Sequence, residues 1–229
     1  MSLPIADEVP STAAGETAFA RTIEKLGWSR FYLYGVPFRI SDGTVLMTGY
    51  RREQMPGTAG ESNDRLNDQS FVLRSEDDGF TWGEPVLIDR TVFDTNECMI
   101  AESSPGMLVS FSRTLRGRTM WTATSRDGGR TWSDLEESGE PGDSPCMLAH
   151  SSGLLVMTSR DTVGTRVAVT ADQGRTWSRP VRVPPSNMTS MVELRDGRVY
   201  LAGQTGWTCP TWIHADTFRV TPDGPVAAR

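Results

Sequence analysis

Four times along the chain, two short apolar runs flank a polar turn that closes on glycine. The segments are 36–51 around Gly43, 98–113 around Gly106, 146–160 around Gly153 and 190–204 around Gly197. Runs rich in Val, Leu, Ile and Met, broken by Ser, Asp and Gly, predict β-hairpins. A third strand is expected after the first three hairpins, at 70–74, 120–124 and 166–169, with fourth strands at 85–88 and 181–183. In the last repeat, 212–215 reads as the third strand and 217–220 as the fourth. The pattern predicts an all-β chain of four four-stranded antiparallel sheets, and 22 Gly with 14 Pro suit many short strands joined by turns. Ahead of them, residues 1–15 read as a disordered leader and 16–26 as a short helix.

A second repeat falls after each predicted third strand of the first three sheets. It reads [Ser/Thr]-x-Asp-x-Gly-x-Thr-Trp, with fixed positions Ser75, Asp77, Gly79, Thr81 and Trp82, then Ser125, Asp127, Gly129, Thr131 and Trp132, then Thr170, Asp172, Gly174, Thr176 and Trp177. The copies lie 50 and 45 residues apart, a pitch that signals propellers or solenoids. Each fixed position has a mechanical use: Asp and Ser/Thr oxygens accept local backbone N–H groups, Gly permits positive φ, and Trp covers the hairpin. The motif is a folding device before it is a chemical one.

This repeat resembles the Asp-box (BNR) repeat of the sialidase superfamily, over about Tyr34 to Val220. The resemblance implies a β-propeller of four-stranded antiparallel blades, usually six in the catalytic members, with the Asp boxes on the rim away from the active site. It also implies a carbohydrate ligand, an acidic sugar. Gly27-Trp28-Ser29-Arg30 echoes Trp177-Ser178-Arg179, so residues 1–30 read as a leader with the remnant of a preceding blade, and 31–229 as the propeller domain. Four blades fit either a small closed ring or an incomplete arc, of which the arc is the expected form. Open edges would favour self-association.

Composition narrows the partners. A net charge of −6 with no basic stretch argues against nucleic acid. No apolar run reaches membrane-spanning length and no basic-then-apolar leader opens the chain, so the expected location is cytoplasmic, or secreted if a segment precedes Met1. Three cysteines, Cys98, Cys146 and Cys209, cannot all pair and are expected reduced and buried. Cys98 and Cys146 take the same place in successive hairpins, which reads as small core thiols rather than metal ligands. His150 and His214 have no second ligand at metal spacing, so neither metal nor cofactor is expected.

The chemistry is expected on the rim opposite the repeated turns. Residues seven past each anchor glycine reach it together: Tyr50, Arg113, Arg160 and Gln204, with Arg51 beside Tyr50. Converging guanidinium forks suit a carboxylate. Glu97 lies nine residues before Gly106 and Arg113 seven after it, which brings the two side by side. By resemblance, Arg113, Arg160 and Arg51 would bind the sugar carboxylate, with Gln204 at the fourth equivalent place. Glu97 would be the base partner of a tyrosine nucleophile, here Tyr50. Asp68, or Asp64 beside it, at the end of the long polar loop 52–68, would be the acid/base. Two departures stand out: Gly35, in Tyr34-Gly35-Val36-Pro37, sits where the family's Tyr-Arg-Ile-Pro motif has arginine, and Gly203-Gln204 sits where the late tyrosine is expected. These departures keep open a non-catalytic glycan- or protein-binding propeller, or a truncated inactive homologue.

Overall fold

The computed structural model describes residues 28, 30–54, 66–90, 94–114, 119–184, 186–205 and 212–227. The segments 1–27 and 55–65, with Asp64, and Cys209 lie outside the described residues. Sixteen strands make four antiparallel four-stranded sheets. Sheet one holds β1 (Phe31–Arg39), β2 (Val45–Gln54), β3 (Leu66–Ser75) and β4 (Val86–Leu87). Sheet two holds β5 (Thr95–Ser104), β6 (Met107–Thr114), β7 (Thr119–Ser125) and β8 (Glu136–Pro141). Sheet three holds β9 (Asp143–Ala149), β10 (Leu155–Arg160), β11 (Thr165–Thr170) and β12 (Val181–Arg182). Sheet four holds β13 (Met188–Glu193), β14 (Arg198–Gln204), β15 (Ile213–Thr221) and β16 (Gly224–Ala227). No helix among the described residues is long and apolar enough to cross a membrane.

Each sheet is a meander, and the predicted hairpins are its first two strands. Two places differ from the sequence reading. The third strand of sheet four runs unbroken through Asp216, which pairs with Leu201, so the fourth strand is 224–227 and not 217–220. Pro222-Asp223-Gly224 supplies the turn, a signature that fixes φ early and frees it late. Sheet two gains β8, whose polar sequence Glu-Glu-Ser-Gly-Glu-Pro lacks strand propensity and takes its form from pairing with β7.

The three repeated turns are near copies of one another. In the second, Ser125 Oγ donates to Asp127 Oδ1 at 2.8 Å and accepts the Gly129 N–H at 2.8 Å. Thr131 gives its N–H to Asp127 Oδ1 at 2.9 Å and its hydroxyl to Oδ2 at 2.6 Å. The same bonds join Ser75, Asp77, Gly79 and Thr81, and Thr170, Asp172, Gly174 and Thr176. The third tryptophan, Trp177, sets its ring edge-on against Phe111 of the preceding sheet, centroids 5.4 Å apart.

Sheets stack in chain order through three apolar clusters. Leu46, Val72, Ile100, Leu108 and Trp132 fill the first interface, Val109, Phe111, Met120, Met147 and Leu155 the second, and Val156, Val167, Val199, Leu201 and Phe218 the third. Strand alternation sends one side chain to the preceding sheet and the next to the following one. On sheet four the forward face carries Val192, Tyr200, Ile213 and Val226, all exposed. No apolar cluster among the described residues joins sheet four to sheet one.

Candidate functional site

Strands β2, β6, β10 and β14 all end on the rim away from the repeated turns, and β5, β9 and β13 begin there. Register places Tyr50 opposite Tyr32, Arg113 opposite Asn96, Arg160 opposite Asp143 and Gln204 opposite Met188. The rim inferred from the glycine offset is therefore the rim observed. Two bulges shape it: the ladder of β5 skips between Asn96 and Met99, and that of β9 between Asp143 and Cys146. Glu97 and Ser144 sit in these bulges with φ of 47° and 49°, which re-aims their side chains. The bulges also separate the two cysteines: Cys98 lies inside one, while Cys146 pairs with Thr158 beyond the other, so the two do not share one position. Both are free; burial pushes the Cys98 thiol up to about 12 and the Cys146 thiol up to about 11.

Glu97 ties sheet two to sheet three. Its Oε1 accepts Arg113 Nη1 at 2.8 Å, and its Oε2 accepts the Ser144 N–H at 3.0 Å and hydroxyl at 3.1 Å. Arg160 holds Asp143 in a fork, at 2.8 and 3.1 Å, and gives Nη1 to Asn187, the residue just before β13, at 2.8 Å. The Asp143 fork raises the Arg160 pKa, against a desolvation that lowers it. Arg52 forks onto Asp68 at 2.7 and 2.8 Å, and Asn96 donates to the same carboxylate at 2.8 Å. Asp68 is fully buried. Arg113 alone among these arginines bonds its acid through a single nitrogen, and 30% of its side chain stays accessible.

Two tyrosines lie among the charges. Tyr34 crosses from sheet one toward the Pro145 carbonyl of sheet three, 3.4 Å away. Burial, then the charges of Glu97 and Asp143, push its phenol far above the ordinary tyrosine range. Tyr50 stacks on Tyr32, centroids 4.9 Å apart, with the Arg52 guanidinium 5.3 Å from the Tyr32 ring centre. Burial also raises the Tyr50 pKa, partly countered by Arg52. Both rings are proton-bearing at neutral pH. Below them, the first strands of the four sheets enclose a cavity of about 200 Å³ lined by Tyr34, Met99, Cys146, Met188 and Met191.

The rim brings together Tyr50, Glu97, Arg113, Arg160 and Asp68, but not Arg51 or Gln204. Alternation turns Arg51 to the opposite face of β2 from Tyr50 and Arg52, where it bonds Gln69 and lies 5.2 Å over the Trp28 ring. Gln204 points along the exposed forward face of sheet four, with Tyr200. Gly35 has a φ of 79°, and a Cβ there would stand 2.6 Å from Met99 Sδ. An arginine at 35 would have to displace the Met99 thioether.

Sequence reasoning missed Arg52, Asn96, Asp143, Ser144 and Asn187. Two of them carried a readable signal: Asp143 precedes Gly153 by ten residues just as Asn96 precedes Gly106, and Arg52 shares the face of Tyr50 two residues on. Among the described residues, no group of His, Cys, Asp and Glu could hold a metal ion.

No family model matches the chain. It is 25% identical over 171 residues to a sialidase of Bacteroides fragilis (strain YCH46), covering 68% of this chain and 28% of that protein. A protein of unknown function from Dyadobacter fermentans superposes with a TM-score of 0.66 at 20% identity, over 82% of this chain and 53% of that one. The NanB sialidase of Streptococcus pneumoniae, in complex with 2-[(3-chlorobenzyl)ammonio]ethanesulfonate, gives 0.61 at 16% identity, over 78% and 29%. The chain thus spans between a quarter and about half the length of these proteins. The fold is that of a sialidase-like β-propeller, and the four sheets are its blades.

Proposed function

We propose that this chain is a sialidase-like glycoside hydrolase domain that recognises an acidic sugar on the rim carrying Glu97, Arg113 and Arg160. The observation that carries the reading is the placement of Arg113. It reaches the rim beside Glu97, uses one nitrogen for that partner and keeps an accessible edge for a second carboxylate. Arg160, buttressed by Asp143 and Asn187, lends positive potential from the next blade. The three Asp-box turns brace the opposite rim. In this reading Glu97 is the base partner and Tyr50 the rim tyrosine it serves, while Asp68, once its fork with Arg52 opens and its carboxylate takes up a proton from solvent, passes that proton to the leaving oxygen.

A specific observation favours a second reading, a non-catalytic propeller that binds the same acidic glycan. Both Asp68 oxygens are already engaged beneath the surface, and Gly35 and Gln204 stand where the family's arginine and tyrosine are expected. A fluorogenic α-glycoside of N-acetylneuraminic acid separates the two. Turnover by the purified chain that disappears in Asp68→Asn supports the hydrolase. Absence of turnover, with the sugar still bound, supports the binding module.

A further inference from the structure

The first and second blade interfaces are built from equivalent positions, and they are finished differently. At the first, Arg74 leaves β3 and donates to the Gly128 carbonyl in the next repeated turn, and its Nη2 reaches Thr44 Oγ1 at 3.4 Å. Glu76, second in its turn, faces Arg130, sixth in the next, with 3.6 Å between Oε1 and Nη2. The hairpin of sheet one is also clasped: Ser41 gives its N–H and its hydroxyl to Glu102, each at 2.7 Å. Ser151 and Glu193 make the same clasp at the third interface.

At the second interface each of these contacts has lost at least one of its partners. Thr124 stands at the place of Arg74, Met107 at that of Thr44, and Ala149 at that of Glu102 and Glu193. The Glu76–Arg130 pair becomes Arg126 and Arg175, two like charges. The result is a cleft of about 430 Å³ on the repeated-turn side, lined among others by Met107, Thr122, Thr124 and Glu136 of sheet two, with Arg126 at one side and Arg175 at the other. Both arginines are exposed. Neither guanidinium has an ion pair or hydrogen bond among the described residues.

The geometry points to a second anion site: the cleft between sheets two and three, on the rim opposite Arg113, binds a saccharide through one carboxylate or sulfate held between Arg126 and Arg175. Two guanidinium groups supply the charge-assisted donors that one oxyanion needs. The remaining lining suits a sugar: Thr122 and Thr124 hydroxyls donate and accept, and the Glu136 carboxylate accepts ring hydroxyls. Glu136 and Glu137 repel a densely charged polymer, which confines the ligand to a single oxyanion per unit.

The test is calorimetric titration with the methyl glycoside of glucuronic acid, with methyl glucoside as the neutral counterpart and inorganic sulfate as the bare oxyanion. The key variant is Arg126→Glu, which restores the ion pair found at the first interface and is exposed enough to leave folding intact. The uronide is expected to bind more tightly than either control. In the Arg113→Ala background, which removes the carboxylate anchor of the other rim, Arg126→Glu should still weaken it by at least about tenfold. The proposal is overturned if the uronide does not bind the Arg113→Ala protein, if the glucoside or sulfate binds it as well, or if Arg126→Glu in that background leaves the affinity unchanged.

Discussion

Arg52 grips Asp68 through both carboxylate oxygens, at 2.7 and 2.8 Å, and Asp68 is wholly removed from solvent. An acid buried this completely depends on its counter-ion, because desolvation of a lone carboxylate exceeds what the single Asn96 bond returns. Arg52→Ala should therefore destabilise the fold by about 3 kcal/mol. Arg52→Lys, which keeps charge but not the fork, should cost less. Urea unfolding of the three proteins checks this; a loss below about 0.5 kcal/mol for the alanine variant would show the pair to be a surface-type contact.

The repeated turns carry a pH signature. Asp127 is held down at about 2: burial works against ionisation, and is outweighed by hydrogen bonds from Thr131, Ser125 and the Arg130 N–H. Asp77, through Thr81, is lowered as well, and so is Asp172, where bonds from Thr176 and Thr170 overcome burial. A carboxyl whose folded pKa lies below its unfolded value of about 3.9 stabilises above that value and loses its contribution as pH falls through the folded pKa. Asp127→Asn should cost about 1 kcal/mol near neutrality, and the gap from the unmodified chain should close between about pH 4 and pH 2. Unfolding midpoints across that range would expose a pH-independent gap, which would mean that the turn depends on side-chain shape alone.

Gly174 and Gly43 share a left-handed backbone and differ in surroundings. Their φ values are 85° and 91°, but a Cβ on Gly174 would lie 2.8 Å from Phe111 Cζ, whereas nothing stands within 4 Å of one on Gly43. Alanine at either site incurs the conformational penalty, roughly 1 kcal/mol. At Gly174 the substitution must also push Phe111 against Trp177, adding about 1–3 kcal/mol. Thermal or urea unfolding should rank Gly174→Ala well below Gly43→Ala in stability. Equal losses would remove the packing argument.

Much of the fold was legible because its signals are local and repeated. An anchor glycine between apolar runs located the inner hairpins, and the turn motif located the ends of third strands. What failed was non-local: β8 is drawn into the sheet by β7 despite its polar sequence, and β15 passes through Asp216 because Leu201 pairs with it. In the site, the seven-residue offset found Arg113 and Arg160, and their partnership with Glu97 was foreseen for the first. The bulges at Glu97 and Ser144 were not readable, since neither residue is one that normally accepts positive φ. Arg51 was misplaced for a simpler reason: its immediate neighbour Tyr50 must point to the other face.

Binding of free N-acetylneuraminic acid to the chain and to Arg113→Ala, measured by titration calorimetry, tests the central claim most directly. If the accessible edge of Arg113 holds the sugar carboxylate, the variant should bind at least about tenfold more weakly while unfolding as cooperatively as the parent. Equal affinity in the two proteins would contradict the account and move acidic-sugar recognition away from this rim.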